Sequence, residues 1–247
     1  MNPSTVLPGF LNRRRQGLMM AALAAVALGA CAPPAPQQTT GAAAPAPAAA
    51  APIAAPAGRY TLDPDHATLE FRVGHMGLAN YVARFTRFKA SLQLDPASLA
   101  ASSIEVTVDP TSIRTDYAGD YKAAVPGTPY ASFDEALAQS PKFFDAGQHP
   151  QIGFRSSRVE ETAPGQLRVT GDLSLLGKTL PVTLDVAVVG SVAAHPFLGR
   201  GAIGFSATGT FDRSAFGMTE LLKPALVSDA VAIRFDGEFH QDAAQGQ

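Results

Sequence analysis

Five histidines, one cysteine and an Asp212-Arg213 step are the residues of this chain with the widest chemical reach. His66 and His75 lie nine positions apart. On one uninterrupted strand that odd spacing turns their imidazoles to opposite faces, so a shared metal ion would need a bulge at Gly74. No clear cluster of further ligands stands beside them, and no metal site is expected. A metal-dependent hydrolase built on His66 and His75 is the alternative reading. His149 precedes Pro150 and reads as a turn residue, while His195 and His240 fall near turns and strand ends and carry no spacing signal. Arg213 can pair with Asp212, hold nearby backbone carbonyls, or meet the acidic head of a ligand. No Gly-x-Ser-x-Gly elbow, Ser/His/Asp constellation or Gly-rich phosphate loop is apparent, so neither catalytic residues nor a cofactor are expected.

The elements that must position these residues are legible from periodicity. Eight stretches between Ala67 and Phe239 alternate apolar and polar residues: Ala67–Val73, Phe88–Leu94, Ile104–Val108, Ile152–Phe154, Leu167–Leu175, Val182–Val188, Ile203–Phe211 and Val231–Phe239. A strand sends successive side chains to opposite faces, so each stretch has one greasy and one wet side. Asp95-Pro96, Asp109-Pro110, Pro164-Gly165 and Gly177 punctuate them as turns. The expectation is an all-β domain over residues 59–241, whose eight antiparallel strands can close into a barrel or stack as a sandwich. A barrel of that size is either filled by its own side chains or holds one small ligand. Alternation alone does not choose between the two.

Residues 116–129 lack alternation and read as a long surface loop. Ser132 followed by Glu135 matches a capping box, which predicts a short helix through Phe133, Ala136 and Leu137, ended by Pro141. That helix could close a cavity at the barrel mouth, or cap the barrel end and protect an edge strand.

The first 31 residues read as a lipoprotein signal peptide. Arg13, Arg14 and Arg15 precede a short apolar run, Gly17–Leu28, which is well under the roughly 20 residues a spanning helix needs. The run ends at Leu28-Gly29-Ala30-Cys31, which resembles the bacterial lipobox, and Cys31 is the only cysteine. Lipidation at Cys31 would anchor the protein in the bacterial periplasm; Ala32 lacks the aspartate that resembles an inner-membrane retention signal, which favours the outer membrane. Residues 32–58 hold 20 Ala and Pro among 27 residues and no charge, the composition of an unfolded linker, and 242–247 read as a flexible tail. Without the signal's three arginines the chain carries 16 Lys+Arg against 21 Asp+Glu, a net charge of −5. An acidic domain with no basic run offers no footprint for nucleic acid. Membrane contact is expected through the lipid anchor alone.

Several segments together resemble the YceI family. These are Tyr60-Thr61-Leu62-Asp63-Pro64-Asp65-His66 with His75-Met76-Gly77, Lys142-Phe143-Phe144-Asp145-Ala146 with His149-Pro150, Gly171-Asp172-Leu173, Pro181-Val182-Thr183-Leu184, Asp212–Gly217 and Val227-Ser228-Asp229. The likeness spans residues 60–239 in order. It implies an extended lipocalin-like antiparallel barrel, periplasmic or secreted, in a family with members that bind polyisoprenoids, isoprenoid quinones or fatty amides inside. The segments Leu78–Tyr81 and Phe133–Ala136 depart from the family pattern, so the apolar channel is implied more firmly than any head group.

The resulting expectation is a non-enzymatic carrier that holds a long apolar lipid, a polyisoprenoid or isoprenoid quinone. Its lining would be Phe71, Phe88, Leu92, Val106, Phe154, Val169, Leu184, Phe205 and Phe235, with Arg213 as the polar contact. Each buried CH₂ of such a chain is worth about 0.8 kcal/mol, so crossing water demands an apolar sleeve. A portal for the lipid would be an exposed apolar patch that a second copy could cover, giving a homodimer. The remaining alternative is an envelope stress or scaffold protein with a filled core.

Overall fold

The computed structural model describes residues 52–243; the signal segment, Cys31, the linker up to residue 51 and the tail from residue 244 lie outside the described residues. Ten strands form one antiparallel sheet: β1 (Gly58–His75), β2 (Ala79–Phe85), β3 (Phe88–Leu94), β4 (Ser103–Val108), β5 (Ile113–Thr115), β6 (Ile152–Ala163), β7 (Gln166–Leu175), β8 (Lys178–Val192), β9 (Ala202–Asp212) and β10 (Val227–Gln241). The order is β10-β9-β8-β7-β6-β4-β3-β1-β2-β5, and pairing of β10 with β1 closes it. The eight alternating stretches are the eight strands of the closed barrel, β1, β3, β4 and β6–β10.

The two strands absent from the periodicity are continuations of others. β2 and β3 return together along β1, with Leu69 opposite Phe85 and Gly58 opposite Leu94. β5 prolongs β4 in the same way, with Ala83 opposite Thr115 and Phe88 opposite Val108. The kinks that separate each pair are stitched to one another by the fully buried Ser112. Its hydroxyl accepts the Arg87 amide at 3.0 Å and donates to the Asp109 carbonyl at 2.7 Å. A buried hydroxyl with both capacities used costs little to bury.

One end of the barrel, the floor, is shut. Tyr60, Leu94, Ile203 and Phe239 are essentially inaccessible there. Ile53 and Ala55 pack against them, and the Tyr60 hydroxyl donates to the Pro56 carbonyl at 2.6 Å. The linker expected to run to residue 58 is therefore part of the domain from Ile53 onward, since burial of its last apolar residues repays the lost chain entropy. At the other terminus Asp242, expected in the flexible tail, donates its amide to the Arg59 carbonyl at 2.9 Å and accepts from the Thr61 hydroxyl at 2.7 Å.

The expected helix is α2 (Phe133–Gln139), and Ser132 caps it by accepting the Glu135 amide at 3.1 Å. It packs on β5, and its Ala138 joins the core cluster of Ala83, Phe85, Val108 and Ile113. Asp134 accepts the Thr115 amide at 2.9 Å and the Thr115 hydroxyl at 2.6 Å, which satisfies an edge-strand donor that β2 does not reach. The loop ahead of it is not featureless: α1 (Tyr121–Ala124), one turn capped by Asp120, brings Tyr117 and Tyr121 against Phe133.

Candidate functional site

Inward-facing residues of the closed strands surround a cavity of about 240 Å³. An engineered apolar void of about 150 Å³ stays dry and takes up benzene, so this space exceeds ordinary packing defects and is large enough for an apolar guest. Its wall runs from Leu94 and Leu99 at the floor, past Val169, Ala207 and Phe235 in the middle, to Phe71, Phe85, Phe144 and Met218 towards the mouth. Strand parity is the reason the wall is so uniformly apolar. Every second residue of β7, from Leu167 to Leu175, is buried, as are Ile203, Phe205 and Ala207 of β9 and Val231 and Phe239 of β10.

Of the residues expected to line the lumen, Phe71, Leu92, Val106, Phe154, Val169, Leu184, Phe205, Phe235 and Arg213 stand on the cavity wall. Phe88 does not. It points inward but is spent on packing, edge-on to Phe235 at 6.3 Å between ring centroids. Several wall residues were not anticipated as such. Phe144 follows α2 in a segment with no periodicity, and it closes the wall through edge contacts with Phe71 at 6.1 Å and Phe85 at 5.4 Å. Phe211 and Phe239 were visible in the alternation but not singled out. Gly171 faces inward opposite the Phe154 ring, and a Cβ there would stand 2.5 Å from the Arg155 carbonyl oxygen. Only glycine lets that ring lie flat against the strand.

Among the described residues Arg213 is the one buried charged side chain, at 4% exposure. Its Nε donates to the Ser228 carbonyl at 2.8 Å, and its two terminal nitrogens donate to Met218 and Val227 carbonyls at 3.3 Å each. The guanidinium has five N–H donors, so at most two are left for a guest. Burial lowers its pKa from the ordinary value, against the opposing pull of Asp229 and Glu220. It stays charged, since arginine does not deprotonate in proteins. The arrangement ties the 213–228 segment together at the mouth end of β9 and β10.

Asp229 completes this clamp. It accepts the Ser214 amide at 2.8 Å and the Ser214 hydroxyl at 2.6 Å. The Ser214 hydroxyl, then the Ser214 amide and the Arg213 charge, hold its carboxyl below the ordinary 3.8 despite some desolvation. A carboxylate with a depressed folded pKa contributes stability that is fully present above the unfolded value and is lost as pH falls through the folded one. Melting temperature should therefore drop below about pH 4, and Asp229→Asn should flatten that acid limb. Thermal scans of both proteins between neutral pH and about pH 2 check this. An unchanged acid limb in the variant would remove Asp229 from the account.

The histidines separate in an unexpected way. His75 sits at the mouth end opposite Val227, whereas His66 lies in a floor-end bulge where the register jumps from Leu62–Phe239 to Ala67–Gly237. The nine residue steps from one to the other span roughly 30 Å along the strand, so the structure does not bring His66 and His75 together. His149 is in a turn, as expected, its amide donating to the Asp145 carbonyl at 2.8 Å. His195 and His240, which carried no sequence signal, stand with their rings 5.3 Å apart.

The model of the YceI-like domain matches residues 60–239. The chain belongs to the YceI family. A UPF0312 protein of Vibrio cholerae is 32% identical over 169 residues, covering 68% of this chain and 81% of the relative. A UPF0312 protein of Shewanella baltica is 32% identical over 177 residues, covering 71% and 84%. Among solved structures, Burkholderia cenocepacia BcnA superposes with a TM-score of 0.58 at 26% identity, over 72% of this chain and 98% of its own. A polyisoprenoid binding domain from Saccharophagus degradans superposes with a TM-score of 0.51 at 11% identity, over 76% and 100%, and so shares the fold. Family membership and the closed eight-stranded barrel agree with the expectation from sequence.

Proposed function

We propose that this protein is a non-enzymatic binding protein that holds one long apolar lipid, of the polyisoprenoid or isoprenoid-quinone class, inside its barrel. The observation that carries the reading is the continuous apolar wall around about 240 Å³ of space, floored at one end and tied by Arg213 at the other. A filled barrel would suit a scaffold; this one has room for a guest. The wall also suits an unbranched or methyl-branched chain better than a polar substrate, because a buried polar group without a partner costs on the order of 1–3 kcal/mol. Phe71, Leu92, Val106, Phe154, Val169, Leu184, Phe205 and Phe235 would contact the chain. The fold shared with the Saccharophagus polyisoprenoid binding domain is consistent with such a guest.

In this reading the lipobox cysteine, Cys31, anchors the carrier to an envelope membrane facing the periplasm, with the outer membrane favoured. The Ala/Pro-rich segment is then a leash that lets the barrel turn towards donor and acceptor. Organic-solvent extraction of the purified protein followed by mass spectrometry tests the proposal. An apolar chain released at close to one per polypeptide is the expected result, and an extract free of lipid would defeat it.

A further inference from the structure

The outer face of the barrel near its floor carries a cluster that the lipid-binding reading does not use. Glu238 and His240 alternate on β10, so both project outward while Phe239 between them seals the floor. The loop between β8 and β9 folds back over this face. Its His195 is set by a tight turn in which its amide donates to the Arg200 carbonyl at 2.7 Å and its carbonyl accepts the Gly199 amide at 2.8 Å. The β1 bulge, which inserts Asp63–His66 opposite β10, adds Asp63 from the other side. Three segments far apart in the chain thus converge on one point.

We infer that His195, Glu238 and His240, with Asp63 beside them, form a binding site for a divalent transition-metal ion of the zinc class. The donor atoms are already near coordination spacing. His240 Nε2 stands 2.7 Å from Glu238 Oε1 and 3.7 Å from Asp63 Oδ2, and His195 Nε2 stands 3.5 Å from Glu238 Oε1. Ligands about 2.0–2.1 Å from a tetrahedral ion lie about 3.3 Å apart. Two of these spacings need shifts of only a few tenths of an ångström, and the third opens as the ion replaces a shared proton. Among the described residues, His195, Glu238 and His240 are the one group of three metal-capable side chains this close together.

Burial and support favour an ion over a loose surface ion pair. The His195, His240 and Glu238 side chains are 23%, 17% and 32% exposed, so they are shielded yet reachable from solvent. Asp63 is 14% exposed and is held from behind, accepting from His66 Nδ1 at 2.7 Å and from the Asp65 amide at 3.0 Å. Such outer partners orient a ligating carboxylate and set its basicity. Two imidazoles and a carboxylate suit zinc, copper or nickel more than calcium or magnesium, which prefer all-oxygen sites. His195, Glu238 and His240 supply three ligands, and an inward move of Asp63, now 3.7 Å from His240 Nε2, would add a fourth and close the site as in structural zinc centres, pinning the 193–201 loop to the barrel wall.

Calorimetric titration of the EDTA-treated protein with zinc chloride tests this. One ion per chain is expected, with a Kd on the order of micromolar or tighter. His240→Ala and His195→Ala should each weaken uptake by about 100-fold or more, and His66→Ala by roughly 10-fold through release of Asp63. His75→Ala and His149→Ala should leave it unchanged. Imidazole NMR signals of the unsubstituted protein give a readout independent of any variant's folding: zinc should move those of His195 and His240 and leave those of His75 and His149 in place. Absence of zinc uptake, uptake untouched by the His195 and His240 substitutions, or shifts confined to other histidines would each overturn the site and leave a plain hydrogen-bonded ion-pair network.

Discussion

Arg213→Met should destabilise the protein by about 3–5 kcal/mol, the usual cost of removing one member of a buried charged arrangement. For a domain of this size each kcal/mol moves Tm by about 2–4 °C, so the melt should fall by on the order of 10 °C. The reasoning is one of unpaired partners. Methionine has a similar reach but no donors, and it leaves the Ser228, Met218 and Val227 carbonyls without the bonds that Arg213 now supplies. It also leaves the Asp229 carboxylate without its nearest positive charge. Arg213→Lys should recover part of the loss, because it restores charge but presents a compact ammonium in place of a planar fork. Hydrogen exchange should locate the damage in the 213–228 segment first. A melt within 2 °C of the parent would mean that water takes over these carbonyls at little cost, and the clamp at the mouth would lose its meaning.

Ala207→Phe should reduce lipid loading by about 10-fold or more without destabilising the fold. Ala207 faces the middle of the lumen on β9, opposite Val186 on one side and Phe235 on the other. The added ring needs about the void that holds benzene, roughly 150 Å³, out of about 240 Å³ present. What is left is smaller than the void that takes up benzene. Filling empty space gains dispersion contacts, so the variant should melt at or above the parent temperature in lipid-free form. A tightly packed scaffold barrel predicts the reverse, a cost of about 1–3 kcal/mol from overpacking with no change in cargo. The sign of the stability change therefore separates a carrier from a filled core in one experiment, with lipid content as the second readout.

These effects show where sequence and structure part company. Alternation located all eight barrel strands because closed antiparallel sheets bury one face along their whole length, which is the condition under which a period of two survives in the sequence. It missed β2, where the solvent-facing Val82 and the small inward Ala83 blur the contrast, and β5, which is three residues long. It could not tell a tunnel from a packed core. Parity says which way a side chain points and nothing about the volume left between opposing walls. Phe88 and Phe154 have the same pattern, yet one ring is consumed by packing and the other borders open space.

The polar sites were hidden for a related reason. Sequence leaves Arg213 open as a ligand contact or a backbone anchor, and the structure commits three of its five donors to backbone carbonyls. The His195–Glu238–His240 cluster has no local signature at all. It arises from a bulge in the first strand, the last strand and a loop between two others, which meet only because the barrel closes. The Glu238–His240 spacing of two on a strand was a usable hint, since it places both on one face; what was missing was the loop that brings His195 across.

Native mass spectrometry of the protein purified from a lipid-rich bacterial host weighs the proposed guest directly. The account predicts a complex heavier than the polypeptide by one long-chain apolar lipid, released on activation, and that increment should be missing from Ala207→Phe. A parent protein that flies at its bare polypeptide mass under conditions gentle enough to keep apolar ligands would contradict the central claim that this barrel exists to enclose a lipid.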